Sequence, residues 1–200
     1  MSEPADRGGQ TAREQLVLAA INEMQQKTPG QIRSRDIAAR ANVNYGLIHH
    51  YFGSKDALLR AALERLVSEF VDDMPPHHSL AEVASPVPSS TASDHGRLWT
   101  VLANIASDPA ALDALRWDYP VLRRMVTEAE SRHDGEPTLE MRASIAAAVT
   151  LTLGWMTYRH FVSHALEFSE TELEAVGSKI TAIIDDLWKA DRRSPSSADS

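Results

Sequence analysis

An all-α fold is predicted, on three observations. Apolar residues recur at helical spacing along most of the chain, no segment alternates apolar and polar as a half-buried strand would, and Pro, Gly, Asn and Ser fall at the joints between the apolar stripes. The chain has 200 residues, 43% of them hydrophobic and 24% charged, which is enough to bury a core in one large domain or two small ones.

The elements follow in order. Val17, Ala20, Ile21 and Met24 place a first helix over about Thr11 to Gln26, and the breakers Pro29 and Gly30 end it. Ser34 is a suitable N-cap, with Asp36 in the first turn where the helix dipole favours an acid, and Ile37, Ala38 and Ala41 form a short apolar stripe. Asn42 follows where this helix must stop, because Asn tolerates the left-handed backbone better than other non-glycine residues. Asn44 can cap the next helix, in which Ile48 and Phe52 point inward and which Gly53 closes. Ser54 caps another helix, carried to about Asp73 by Leu58, Leu59, Ala62, Leu63, Leu66 and Phe70.

A Pro-, Ser- and Ala-rich stretch from Met74 to Asp94 reads as a linker or mobile loop. Helices resume at GRLWTVLANIA, PAALDALRW and VLRRMVTEAE, and residues 131–137 form a loop. A long helix is expected over about Thr138 to Leu166. A last helix is expected over about Thr171 to Lys189, with Leu173, Val176, Gly177, Ile180, Ile184, Leu187 and Trp188 on one face. The expected division is a disordered tail at 1–10, a first domain at 11–73, a linker at 74–94, a second domain at 95–190 and a disordered tail at 191–200.

Several classes are disfavoured. Without cysteine there are no disulfides or thiolate metal sites. The polar N-terminus lacks a signal core. The longest apolar run, Ala143 to Tyr158, has 16 residues where about 20 are needed to span a bilayer, so a soluble, cytoplasmic protein is expected. No Ser-His-Asp signature, phosphate loop, HExxH or paired-carboxylate motif marks an enzyme, and no cofactor is expected. His160 and His164 lie one helical turn apart but have no third ligand, and the pair His77 and His78 falls in a loop, so no metal site is expected.

Charge is uneven. Residues 1–74 carry nine Lys/Arg against ten Asp/Glu, and residues 75–200 carry eleven against eighteen. From Lys27 to Lys55, however, the bases Lys27, Arg33, Arg35, Arg40 and Lys55 meet only Asp36. A basic patch on an acidic chain suggests a focused contact with an anionic partner. Two short helices joined by a tight turn make a helix-turn-helix, whose second helix fits the DNA major groove. Gly46 costs helix stability and would let that helix approach a sugar-phosphate backbone. Lys55, in the first turn of its helix, opposes the dipole unless it shares an anion such as a phosphate with the backbone N–H groups.

The segment resembles the DNA-binding domain of the tetracycline-repressor (TetR) family over roughly residues 11–60. The matching residues are Ile37-Ala38, Ala41, Val43, Gly46, Ile48, Tyr51-Phe52, Ser54-Lys55 and Leu58-Leu59. Asn42 departs from the family's usual glycine, Asn44 from its serine or threonine, and His49 from a tyrosine that touches phosphate. The resemblance implies an N-terminal three-helix helix-turn-helix DNA-binding domain plus a C-terminal helical ligand-binding and dimerisation domain. It implies a dimeric transcriptional regulator, a repressor being the simpler reading, on a pseudo-palindromic double-stranded DNA site. The expected DNA-facing residues are Arg33, Ser34, Arg35, Asn44, Tyr45, Gly46, Leu47, His49, His50, Tyr51 and Lys55.

In the second domain the long helix is apolar nearly all round and needs more than one burial partner, so a second subunit is expected against it. Ser144, Ala148, Leu151, Thr152 and Trp155, with Val176, Ile180, Ile184 and Leu187 of the last helix, form the expected homodimer interface. Trp99, Leu102, Trp117, Tyr119, Met125, Trp155 and Tyr158 could line a mostly apolar pocket for a small-molecule effector. A competing reading is a helical protein-interaction module that does not bind DNA.

Overall fold

The computed structural model describes residues 5–72, 93–130 and 138–191, and every regular element among them is a helix. In chain order these are α1 (Ala5–Met24), a 3-10 turn (Pro29–Gln31), α2 (Ser34–Arg40), α3 (Gly46–Phe52), α4 (Lys55–Asp72), α5 (Ser93–Ala106), α6 (Pro109–Leu115), α7 (Pro120–Glu130), α8 (Leu139–Ala165) and α9 (Glu170–Asp191). The linker expected at 74–94 lies outside the described residues except for Ser93 and Asp94, which open α5. Residues 5–10, expected as tail, instead extend α1, since each residue added to an existing helix gains one backbone bond.

The chain divides into two compact units, Met1–Phe70 with Thr100–Asp118, and Val71–Trp99 with Tyr119–Ser200. The first unit therefore takes in a later segment rather than ending at a single cut. Two hydrogen bonds within the unit show what holds that segment. The Asn104 amide donates to the carbonyl of Met24 at 2.9 Å, satisfying a carbonyl at the end of α1 that has no helical partner. The Gly30 N–H donates to a carboxylate oxygen of Asp108 at 2.8 Å, while the other oxygen of Asp108 caps α6 by accepting from the Ala111 N–H at 3.2 Å. A Cβ at Gly30 would stand 2.8 Å from that Asp108 oxygen, so a larger residue there would have to displace the carboxylate.

The core of the first unit follows the predicted stripes. Leu16, Val17, Ala19, Ala20, Ile21 and Met24 of α1, Ile37 and Ala38 of α2, and Ile48 of α3 are buried. So are Leu58, Leu59, Ala62, Leu63, Leu66, Val67 and Phe70 of α4. α1 packs against both α2 and α3. One buried residue is an acid: Glu23, 2% exposed, accepts from Lys27 Nζ and from Arg40 Nε, each at 2.7 Å. Its carboxylate thereby ties α1 to α2. Burial alone would raise its pKa, but the hydrogen bonds and charges of Lys27 and Arg40 prevail and hold it below the ordinary carboxylate value.

The turn after α2 is closed by backbone geometry. Asn42 has φ 53°, its N–H bonds the carbonyl of Ala39 at 3.1 Å, and the N–H of Val43 bonds that of Ala38 at 3.0 Å. This pair of bonds is a Schellman termination, with Asn where glycine is usual.

In the second unit α8 packs on α7 and, more extensively, on α9. Thr138 caps α8 by accepting from the Met141 N–H at 3.2 Å, and Met141, Ile145, Ala148 and Thr152 form its buried stripe. Ser169 and Glu172 form a reciprocal capping box at the start of α9, with Ser169 N–H to Glu172 Oε2 at 2.9 Å and Glu172 N–H to Ser169 Oγ at 3.3 Å.

Replacing Asn42 with Ala should destabilise the first unit by about 1 kcal/mol, because a β-carbon without a local polar partner strains the left-handed backbone, whereas Asn42→Gly should cost nothing. Thermal melts of the two variants check this. The lowered pKa of Glu23 contributes stability that is present above the ordinary carboxylate value and lost as pH falls through the folded value. Glu23→Gln should lower the melting temperature at neutral pH and flatten its acid limb, read from melts across an acid series.

Candidate nucleic-acid interface

The α3 helix is only seven residues long, so its ends must fix it. At its start Tyr45 already has helical torsions, φ −51° and ψ −37°. The capping side chain is therefore that of Asn44, whose Oδ1 accepts from the Gly46 N–H at 2.8 Å. A Cβ at Gly46 would lie 3.2 Å from that oxygen, a tight contact that gives Gly46 a local reason distinct from the expected approach to a sugar-phosphate backbone. At the end Gly53 turns left-handed, φ 77°, with its N–H on the carbonyl of His49 at 3.0 Å. Ser54 Oγ then accepts from the Ala57 N–H at 3.1 Å and starts α4.

Between these ends Ile48 is fully buried and anchors the helix, and the opposite face is open. Asn44, Tyr45, Gly46, His49 and His50 are exposed, Tyr45 by 43%. Leu47 and Tyr51 are half-buried. Tyr51 stands edge-on to His50 with ring centroids 4.9 Å apart. Phe52, expected in the core, is half-buried beneath the Arg13 guanidinium, 5.2 Å from its ring centroid. His49 links two residues of the same face: its Nε2 lies 3.2 Å from the Tyr45 hydroxyl, and its Nδ1 lies 3.0 Å from the Gly53 carbonyl oxygen.

The basic patch is smaller than the sequence count. Lys27 and Arg40 are engaged by Glu23, and Lys27 is also 3.8 Å from Asp36. Lys55 donates to the carbonyls of Pro29 at 2.9 Å and Ile32 at 3.1 Å, so its ammonium fastens the 3-10 turn to the start of α4. Arg33 and Arg35, at the start of α2, are exposed and make no ion pair among the described residues; Ser34 between them is half-buried and lies inside the helix, with Arg33 in the cap position. Glu23 and Asp108 were missed in the sequence. The spacing of Glu23 and Lys27 marks an i, i+4 pair, but nothing local marks Arg40 or Gly30 as a partner.

The second unit changes the expected subunit surface. Ala148, Thr152 and Ile184 are fully buried within the chain, so they are not open to a partner. Thr152 Oγ1 donates to the Ala148 carbonyl at 2.9 Å, a bond internal to α8. Ser144, Trp155, Val176, Ile180 and Leu187 are half-buried and Leu151 is exposed. Besides Leu151, large apolar side chains left in water are Leu139 at the start of α8, Tyr158, Phe161 (73% exposed) and Leu166 at its end, and Ile183 on α9. Trp188 has a side chain outside the described residues.

The expected effector residues fall in both units, Leu102 and Trp117 in the first, Trp99, Tyr119, Met125, Trp155 and Tyr158 in the second. Trp99, Leu102 and Met125 are buried, Trp117 and Trp155 half-buried, and Tyr119 and Tyr158 exposed. Two surface hollows of the first unit have about 230 and 170 Å3 and other linings, and both are below the roughly 300 Å3 at which small-molecule pockets begin. His160 and His164 are exposed, His77 and His78 lie outside the described residues, and among the described residues no group of three or more potential metal ligands gathers. No helix among them is long and apolar enough to cross a membrane.

Residues 16–62, which contain α2, α3 and the turn between them, match the family described as bacterial regulatory proteins, tetR family. The chain is 29% identical over 155 residues to an HTH-type transcriptional repressor of Mycobacterium tuberculosis, covering 78% of this chain and 77% of that one. It is 25% identical over 181 residues to the HTH-type transcriptional regulator BetI of Burkholderia thailandensis, covering 88% and 79%. In fold it is similar to a tetR-family transcriptional regulator from Streptomyces coelicolor, with TM-score 0.54, 23% identity and coverage of 91% of this chain and 87% of that one. A capped helix exposing polar side chains over a buried isoleucine thus lies within a segment, residues 16–62, that matches the tetR family, in an all-helical chain similar over most of its length to helix-turn-helix transcriptional regulators.

Proposed function

We propose that the chain is a homodimeric repressor that binds a pseudo-palindromic duplex operator and leaves it when a small, mostly apolar effector binds. The observation that carries the DNA reading is α3 itself. Ile48 fixes its inner side while Asn44, Tyr45 and His50 offer hydrogen-bonding groups outward, the requirement for base-edge contact in a major groove, and His49 on the same face is bonded to Tyr45 and Gly53. Arg33 and Arg35 supply cations for the flanking phosphates. The relative named a repressor supports blocking of transcription as the mode of action and regulation rather than catalysis as the activity.

The apolar side chains Leu151, Tyr158, Phe161 and Ile183, exposed on two packed helices, support a second copy of the chain as their cover. Trp155, Val176, Ile180 and Leu187 belong to the same proposed surface. A two-fold dimer sets its two recognition helices about 34–36 Å apart, one turn of DNA. Within the second unit Trp99 and Met125 are the candidate effector contacts. Release requires the effector to favour one geometry over another, since equal affinity for both shifts nothing.

Selection of bound fragments from the genome of the source organism, with sequencing of the enriched site, tests this function. A palindromic site with half-sites one DNA turn apart is expected; enrichment of no sequence, with or without metabolites, would reject DNA binding in favour of a protein-only module. Phe161→Glu and Ile183→Asp should leave the fold intact, shift sedimentation to the monomer and weaken operator binding at least tenfold, while Ile184→Asp should unfold the second unit. A Phe161→Glu, Ile183→Asp double variant that still sediments as a dimer would reject this surface.

A further inference from the structure

Tyr45, His49 and Gly53 stand at four-residue intervals, and their polar atoms form a chain. The Gly53 carbonyl can only accept, so His49 Nδ1, 3.0 Å away, carries a proton, and when the imidazole is neutral this is its only one. Its Nε2 is then a lone pair, and the group 3.2 Å from it, the Tyr45 hydroxyl, must be the donor. The phenol proton is committed to the protein. Only the lone pairs of the phenol oxygen remain for an outside partner. The edge-on rings, with centroids 5.5 Å apart, hold the two side chains in this relation.

We propose, resting on the DNA-binding reading above, that His49 is a positioning residue which makes Tyr45 an acceptor-only reader of the major groove. Such an oxygen can pair with the amino group of adenine (N6) or cytosine (N4). It is repelled by guanine O6 and N7, by thymine O4 and by phosphate oxygens, all of which only accept. His49 thus contributes to the choice of base without touching it. Gly53, whose left-handed φ closes α3, brings its carbonyl to the ring and so determines the tautomer.

The test is competitive binding of the full chain to its genomically selected operator with all four base pairs at each position, for the native protein, Tyr45→Phe, His49→Phe and His49→Gln. The native protein should prefer an amino-bearing base by about tenfold at one position in each half-site, the scale of one hydrogen bond. Tyr45→Phe should lose that preference. His49→Phe frees the phenol proton, so the preference there should fall toward unity while other positions keep theirs. His49→Gln, whose amide oxygen can take the phenol proton and whose amide nitrogen can reach the carbonyl, should restore it. An unchanged preference in His49→Phe, an unchanged profile in Tyr45→Phe, or a His49→Gln profile identical to that of His49→Phe overturns the proposal. A native chain that enriches no operator fails at the earlier step and overturns the DNA reading with it, so the two failures are separable.

Discussion

At Asn42 the backbone leaves the right-handed helix, φ 53°, and two N–H groups in succession fold back onto the carbonyls of Ala39 and Ala38. Those bonds satisfy the end of α2 and set the direction in which the chain re-enters a helix. Because α1 packs against α2 and α3 together, the direction decides which side of α3 meets the core. Ile48 is placed inside, and Asn44, Tyr45, His49 and His50 are left outside. A seven-residue helix has little stability of its own, so this presentation depends on three end constraints: the Asn42 turn, the Asn44 cap and the Gly53 stop.

Around that helix most of the cations are committed inside the fold. Glu23 takes Lys27 and Arg40, and the Pro29 and Ile32 carbonyls take Lys55. The same 3-10 turn that receives Lys55 offers the Gly30 N–H to Asp108, which caps α6. Lys55 and Asp108 thus grip one short turn from two sides, and a displacement of α6 would be felt at the start of α4. On an acidic chain with few uncommitted cations near α3, the proposed sequence preference rests on hydrogen-bond geometry more than on a long-range field.

Local chemistry was legible in the sequence, and long-range chemistry was not. The left-handed Asn42, the Gly53 stop and the Ser54 cap could be read because each depends on residues within a turn of itself. The α4 stripe from Leu58 to Phe70 could be read because a 3.6-residue period has one buried face. The partner of Glu23 on α2 and that of Gly30 at position 108 come from tertiary packing, so no window of sequence contains them. The Lys55 reading failed to anticipate backbone carbonyls as competitors for its ammonium. Ile184 and Ile183 show another limit: periodicity finds an apolar face, but burial within the chain and burial against a second copy leave the same pattern. The neighbouring residue, about 100° round the helix, proved to be the exposed one.

The central claim is that the outer face of α3 is what meets DNA. Amide hydrogen exchange of the full chain with and without its selected operator measures this directly. Slower exchange confined to residues 33–35 and 44–55 is the result the account predicts. Protection elsewhere in the chain, with 44–55 unchanged, would contradict it.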